Sequence, residues 1–333
     1  MSATGRKFPS TSRRWAIVLA GGDGIRLRPL TRFLTGDDRP KQFCALLSEN
    51  TLLKEARLRA EHIVHPDRIV YSLSSAHEEH YLADLADSPS QRIVQPFNRG
   101  TAPAILSALF HILQLDRDAL VVILPSDHFY SSERALTSAL DSCFALAAAT
   151  PESVVLLGAQ PSGPEVEYGW IEVGEAFAPP HAGAFQVRGF QEKPPLLLAQ
   201  NLFQSGSLWN TFVMVGYARA FLDLAFAFVP TLTEILASTQ VNPGRGAETR
   251  IAGAVYHWIG TTDFSRQVLV PGAASLVTLG LRDVAWNDLG DPRRVISTLQ
   301  ETQPDLPAWV SRWRMCSEDS HAPAGPRLSA AVG

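Results

Sequence analysis

Lysine is nearly missing from this sequence. Of 29 basic residues only Lys7, Lys41, Lys54 and Lys193 are lysine, and the rest are arginine. A chain that spends the planar arginine fork on general positive charge keeps lysine for places that need a compact point charge. Attention therefore falls on Lys41 and Lys193. Cysteine is scarce too. Cys44, Cys143 and Cys316 have no paired spacing, so neither a disulfide framework nor a zinc site is expected, which suits a reducing cytoplasmic setting. No apolar run approaches the ~20 residues that span a bilayer, and the start lacks a signal-peptide core, so no membrane partner is expected. A net charge of −4 excludes a general nucleic-acid binder, whose electrostatics demand a basic excess.

Several known motifs are also missing. No glycine is followed by Lys-Ser or Lys-Thr, which excludes a P-loop, and Leu27 stands where a dinucleotide fingerprint needs its third glycine. His77-Glu78-Glu79-His80 spaces its histidines at i and i+3, not at the i+4 of a zinc-protease helix, and reads as a solvated helix face. No hexapeptide repeat is present, so no left-handed β-helix is expected.

What is there is an ordinary folded chain of 333 residues, 46% hydrophobic and able to bury a core. It is organised around residues 16–43. A short β-branched run at 16–20 ends in Gly21, Gly22 and Gly24, followed by Arg26, Arg28 and then Arg39-Pro40-Lys41-Gln42-Phe43. Glycines let backbone N–H groups approach a ligand, and fixed cations follow, which together suit a polyphosphate.

Strands are expected at 69–73, 92–95, 120–124, 154–159, 185–190, 211–215 and 275–279, with helices at 50–64, 102–115, 133–149, 196–203 and 291–300. Residues 218–238 read as helix interrupted near Pro230, 241–247 as a Gly/Pro loop, and helical stretches continue to about Val270. The alternation predicts an α/β fold: a Rossmann-like, doubly wound, mostly parallel sheet. The run 120–124 reads as a central parallel strand buried on both faces. It delivers Pro125-Ser126-Asp127-His128 at its carboxyl end, where such sheets bind ligands. Thr101 is expected to cap the helix beginning at Ala102-Pro103. Residues 1–13 and 301–333 read as loose tails around one domain, 14–300.

Five ordered stretches carry a family resemblance. Gly21-Gly22-Asp23-Gly24-Ile25-Arg26-Leu27 with the later Pro40-Lys41 resembles the signature of sugar-nucleotide pyrophosphorylases. Pro125-Ser126-Asp127-His128, Tyr168-Gly169-Trp170-Ile171-Glu172, Glu192-Lys193-Pro194 with Leu208-Trp209-Asn210, and Trp286-Asn287-Asp288-Leu289-Gly290 follow in the family's order. The form Arg39-Pro40-Lys41-Gln42-Phe43 is most similar to the mannose-1-phosphate guanylyltransferases.

The resemblance implies a nucleotidyltransferase domain with inserted sugar-binding strands, acting on GTP and mannose 1-phosphate with Mg²⁺. Asp127 and Asp288 would hold the metal, and Arg26 and Lys41 would act on the reacting phosphates, with Asp127 serving catalysis through its ion. Gly21, Gly22, Gly24, Asn98, Gly100 and Thr101 would bind the nucleotide. Tyr168, Gly169, Glu192, Lys193 and Asn210 would bind the sugar phosphate. A homodimer is compatible with the family but encoded by no motif. Two departures stand out. Ile25 replaces the family's threonine, a change worth about 1 kcal/mol if a hydroxyl contact is lost. Thr211-Phe212 replaces its Ser-Gly pair, which puts the sugar in question. Glucose 1-phosphate with UTP or dTTP is the alternative pair. A non-catalytic regulatory relative is the alternative class, though it should have lost one of Arg26, Lys41, Asp127, Lys193 or Asp288.

Overall fold

The computed structural model describes residues 13–239 and 248–319. Twelve strands appear in chain order: β1 (Arg14–Leu19), β2 (Ile69–Ser74), β3 (Gln91–Gln95), β4 (Leu120–Pro125), β5 (Phe129–Tyr130), β6 (Val154–Ala159), β7 (Gly169–Ala176), β8 (Ala184–Glu192), β9 (Leu208–Tyr217), β10 (Glu248–Arg250), β11 (Leu276–Leu281) and β12 (Trp286–Asn287). Ten form one sheet in the order β10-β3-β2-β1-β4-β9-β6-β11-β8-β7, and β5 pairs with β12 in a small ribbon.

The sheet is mixed. From β10 to β4 every pairing is parallel, as is β6 with β11, whereas β8 and β9 run antiparallel to their neighbours. The central strand expected to be parallel is so on one side only. β4 is parallel to β1 but antiparallel to β9, and β6 does not lie beside β4, because β9 is wedged between them. A strand arriving from farther along the chain can enter there because β4 and β6 are apolar on both faces and offer open backbone edges to it.

Alternating side chains build the core in two layers. Ala16 and Val18 face one layer with Leu53, Leu136 and Leu140 from the helices Leu52–Glu61 and Glu133–Ala149. Trp15 and Ile17 face the other, with Ile105, Leu109 and Phe221 from the helices Thr101–Leu115 and Ala218–Phe228. Strands covered on both faces need continuous apolar runs, and these have them. Pro230 begins its own helix, Pro230–Ser238, as its fixed φ allows. The expected helical continuation is a short helix, Gly253–Trp258, and a π-helical turn, Ser265–Leu269.

A third cluster lies beyond the carboxyl edge of the sheet. Leu27 and Leu30 pack with Leu289, Val295, Leu299 and Val310. Val310 belongs to a helix, Ala308–Asp319, where the sequence suggested a loose tail from residue 301. Trp313 meets Phe33 edge-on at 5.4 Å. The segment lacks a strong repeat because only a few of its side chains are buried. The tail expected at 1–13 and the loop at 241–247 lie outside the described residues, apart from Arg13, as does the chain from 320.

Candidate active site

β1 and β4 are parallel neighbours with Leu19 opposite Pro125, so the glycine turn and Asp127 leave the same sheet edge side by side. Gln42 holds the turn in place by donating through Nε2 to the Ala20 and Gly22 carbonyls, at 3.2 and 2.7 Å. Gly24 has φ +58, and a Cβ there would crowd the backbone of Pro40 and Lys41 at 3.2 Å. Glycine is what lets the two halves of this motif touch.

Lys41 is buried. Its Nζ donates to the Asp288 carbonyl and to the Leu289 carbonyl at 3.2 Å, and lies 3.2 Å from Asp127 Oδ2. Sequence motifs 247 residues apart thus meet at one ammonium group. Asp127 also has His128 Nε2 at 3.7 Å. His128 is in turn reached by Trp286 Nε1 at 3.3 Å, and burial lowers its basicity. Asp288 Oδ1 accepts from Arg294 at 2.8 Å, from the Gly290 N–H at 2.9 Å and from the Tyr168 hydroxyl at 3.3 Å. Its Oδ2 faces Arg26 at 3.6 Å. Burial works against its charge, but Lys41 and Arg294 outweigh that and hold its carboxyl below the usual range.

A cavity of about 380 Å³ opens over this group. It is lined by Gly21, Gly22, Gly24, Arg26, Asn98, Gly100, Thr101, Asp127, Tyr168, Gly169, Glu192, Lys193, Asn210 and Asp288. Every candidate site residue therefore faces one cavity except Lys41, which stands beside it in contact with Asp127. Tyr168 and Trp286 line the cavity and pack with Trp209 behind them, Tyr168 lying 5.0 Å from the Trp209 ring and 4.8 Å from that of Trp286. Glu192 is pushed up to about 7 by burial and by the charge of Asp263. Lys193 holds a left-handed backbone (φ +52) and donates its N–H to the Tyr168 carbonyl. Ile25 points outward and is two-thirds exposed.

Two expectations need correction. Thr101 does not cap its helix. Gly100 occupies the cap position, and the Thr101 hydroxyl accepts from the Phe264 N–H at 2.8 Å. Gly100 has φ +88 and lies so close to the Thr262 carbonyl that a Cβ would collide with it. That contact, with Ala102 N donating to Thr262 O and Thr262 N to Arg99 O, clamps residues 98–101 to 262–264. His77 and His80 are not on a solvated face. Both rings pack tilted against Phe43 with centroids 5.6 Å away, and His77 is buried 3.6 Å from Asp23. Asp23 also receives the Asn98 amide at 2.9 Å, which ties the glycine turn to the 98–101 loop.

Other cavity residues were not foreseen. Asp263 and Ser265 arrive with the clamped segment, and Glu167 pairs with Arg26. Arg294 binds Glu165 as well as Asp288 and stacks over Tyr168 at 4.4 Å. The capped helix start at Asp291-Pro292 was the sole local signal near Arg294. Among the described residues no three His, Cys, Asp or Glu side chains could together hold a metal ion; Asp127 and Asp288 both line the cavity.

Fold and cavity define the class: an α/β protein whose sheet edge carries a glycine-walled pocket lined by both cations and carboxylates. The profile of the family "Nucleotidyl transferase" matches residues 15–303, and the chain belongs to that family. It is 32% identical to the xanthan biosynthesis protein XanB of Xanthomonas campestris pv. campestris (strain B100), across 82% of this chain and 57% of the relative. A mannose-1-phosphate guanylyltransferase of Klebsiella pneumoniae is 28% identical across 95% of this chain and 66% of its own length. The chain thus spans little more than half of the first of these curated relatives. Among solved structures, one described as mannose-1-phosphate geranyltransferase from Thermus thermophilus superposes with a TM-score of 0.73 at 28% identity, covering 86% of this chain and 80% of that one. No described helix is long and apolar enough to cross a membrane.

Proposed function

We propose that the chain transfers a guanylyl group from GTP to mannose 1-phosphate, yielding GDP-mannose and pyrophosphate. The observation that carries this reading is the meeting of Lys41, Asp127 and Asp288 beside a cavity that also presents Arg26, Lys193 and the glycine turn. In the proposed reaction a phosphate oxygen of the sugar phosphate attacks the α-phosphorus of the triphosphate. The bond from that phosphorus to the β-phosphate oxygen breaks, and pyrophosphate leaves. The nucleophile is already an anion, so no base is required. The task is to bring two polyanions together, which positioning and charge neutralisation accomplish.

Gly21, Gly22 and Gly24 offer backbone donors to the triphosphate. Arg26 and Lys41 take up charge on the reacting phosphates. Asn98, Gly100 and Thr101 lie along the nucleoside. Lys193 holds the sugar phosphate, while Glu192, Asn210, Tyr168 and Gly169 line the sugar. Asp127 and Asp288 suit Mg²⁺, because a pair of carboxylates leaves a hard cation the rest of its shell for phosphate oxygens and water. When bound there, the ion would neutralise phosphate charge.

The test is pyrophosphate release with Mg²⁺, offering GTP, UTP, dTTP, CTP and ATP each against mannose 1-phosphate and glucose 1-phosphate. A peak with GTP and mannose 1-phosphate, lost in Asp127→Ala, is expected. Turnover with another pair moves the assignment within the family. Silence across the panel, in a folded protein that still binds sugar nucleotide, overturns the catalytic reading.

A further inference from the structure

Phe212 lines the cavity with a left-handed backbone, φ +59. That region is costly to any residue with a Cβ and is a marked outlier for a bulky one. Such strain persists where the surroundings impose it. Here they do. The Phe212 N–H donates to Asn210 Oδ1 at 3.1 Å, closing an Asx turn. The Thr211 hydroxyl donates to the Leu157 carbonyl at 2.6 Å and accepts from the Val213 N–H at 3.2 Å. The chain is held on both sides of Phe212, and the turn leaves Asn210 with its Nδ2 as the remaining polar group of the amide.

Glycine would adopt this backbone without strain. The turn therefore does not explain the phenylalanine. What remains is its bulk: Phe212 is half-buried against the apolar layer under the sheet and lines the cavity together with Asn210.

We propose that Phe212 is a size filter at the sugar end of the cavity. Its ring fills room that a substituent larger than hydroxyl would need, so the chain selects plain hexose 1-phosphates over those carrying an acylamino group. This rests on the sugar-phosphate reading of the Asn210 and Lys193 wall.

The experiment compares the unaltered protein with Phe212→Gly and Phe212→Leu. Binding of mannose 1-phosphate, glucose 1-phosphate and N-acetylglucosamine 1-phosphate is measured by calorimetry, and turnover with the preferred nucleotide alongside. The affinity ratio of hexose to acetamido sugar should fall at least tenfold in Phe212→Gly, chiefly through tighter binding of the larger sugar, and part of the way in Phe212→Leu. An unchanged ratio overturns the filter. So does an equal loss of all three sugars, which would mark the ring as a structural prop. Should Phe212→Gly fail to fold, the Phe212→Leu ratio decides by the same criterion. If the unaltered protein binds sugar phosphates without turning them over, the transfer reaction falls while the binding ratio still decides the filter. If it binds none of them, the filter falls as well.

Discussion

The Glu167 carboxylate lies 2.9 Å from the Arg26 guanidinium and 3.7 Å from the Lys193 ammonium, bridging the glycine turn to the opposite wall of the cavity. Any phosphate that engages Arg26 and Lys193 together has to displace it. Glu167→Gln removes the competing charge. The KM for sugar phosphate should fall roughly two- to fivefold at low salt, with kcat nearly unchanged and the gain shrinking as salt screens the charges. Steady-state kinetics at two ionic strengths will decide, and a raised KM would show Glu167 to be a substrate contact.

Lys41 sits where an ammonium can touch two carbonyls and a carboxylate from one point. Lys41→Met should lower kcat on the order of 10²–10³-fold, as loss of a charge-stabilising donor does elsewhere. Lys41→Arg should not restore it, since the planar fork cannot occupy that buried position. An arginine variant within tenfold of the unaltered rate would contradict this account.

Glu192 has a proton affinity raised from an ordinary 4.5 to about 7 by burial and by Asp263. The folded protein therefore binds this proton more tightly than the unfolded chain does. Its stabilising contribution is complete below about pH 4.5 and is lost as pH rises to about 7, at most about 3 kcal/mol before discounting the part of the side chain that reaches solvent. Melting temperatures of the unaltered protein and Glu192→Gln, taken from pH 5 to 8, should diverge in favour of the glutamine variant as pH rises. Parallel curves would mean that Glu192 titrates normally.

Val310 is buried against the cluster that supports the helix after the glycine turn. Val310→Ala should cost about 2 kcal/mol by loss of buried methyl groups. A denaturant melt measures this. A cost below about 0.5 kcal/mol would indicate that the Ala308–Asp319 helix is only loosely attached.

Much of the site was legible because its parts are local. Gly21, Gly22 and Gly24 follow a β-branched run, Asp127 ends a second one, and sterics alone place both at strand termini. Thr101 was misread because a threonine before Ala-Pro has the pattern of a cap, while its actual partner, the Phe264 N–H, is 163 residues away. His77 and His80 were misread for the same kind of reason. Their polar sequence hides the Phe43 ring that covers them.

The sequence by itself determined the alternation of strands and helices, the glycine turn, an aspartate just past the β-branched run 120–124, and Lys41 and Lys193 as candidate point charges. These depend on periodicity, on residues with unusual φ preferences and on charge type, all of which act within a few residues. Only the tertiary structure decided that β9 separates β4 from β6, that Arg294 and Tyr168 grip Asp288, that Glu167 spans Arg26 and Lys193, and that Phe212 takes the left-handed region at the cavity wall. Each of those depends on hydrogen bonds, ion pairs or packing with partners supplied by distant segments, whose meeting is set by the burial of the whole core and not by any local pattern.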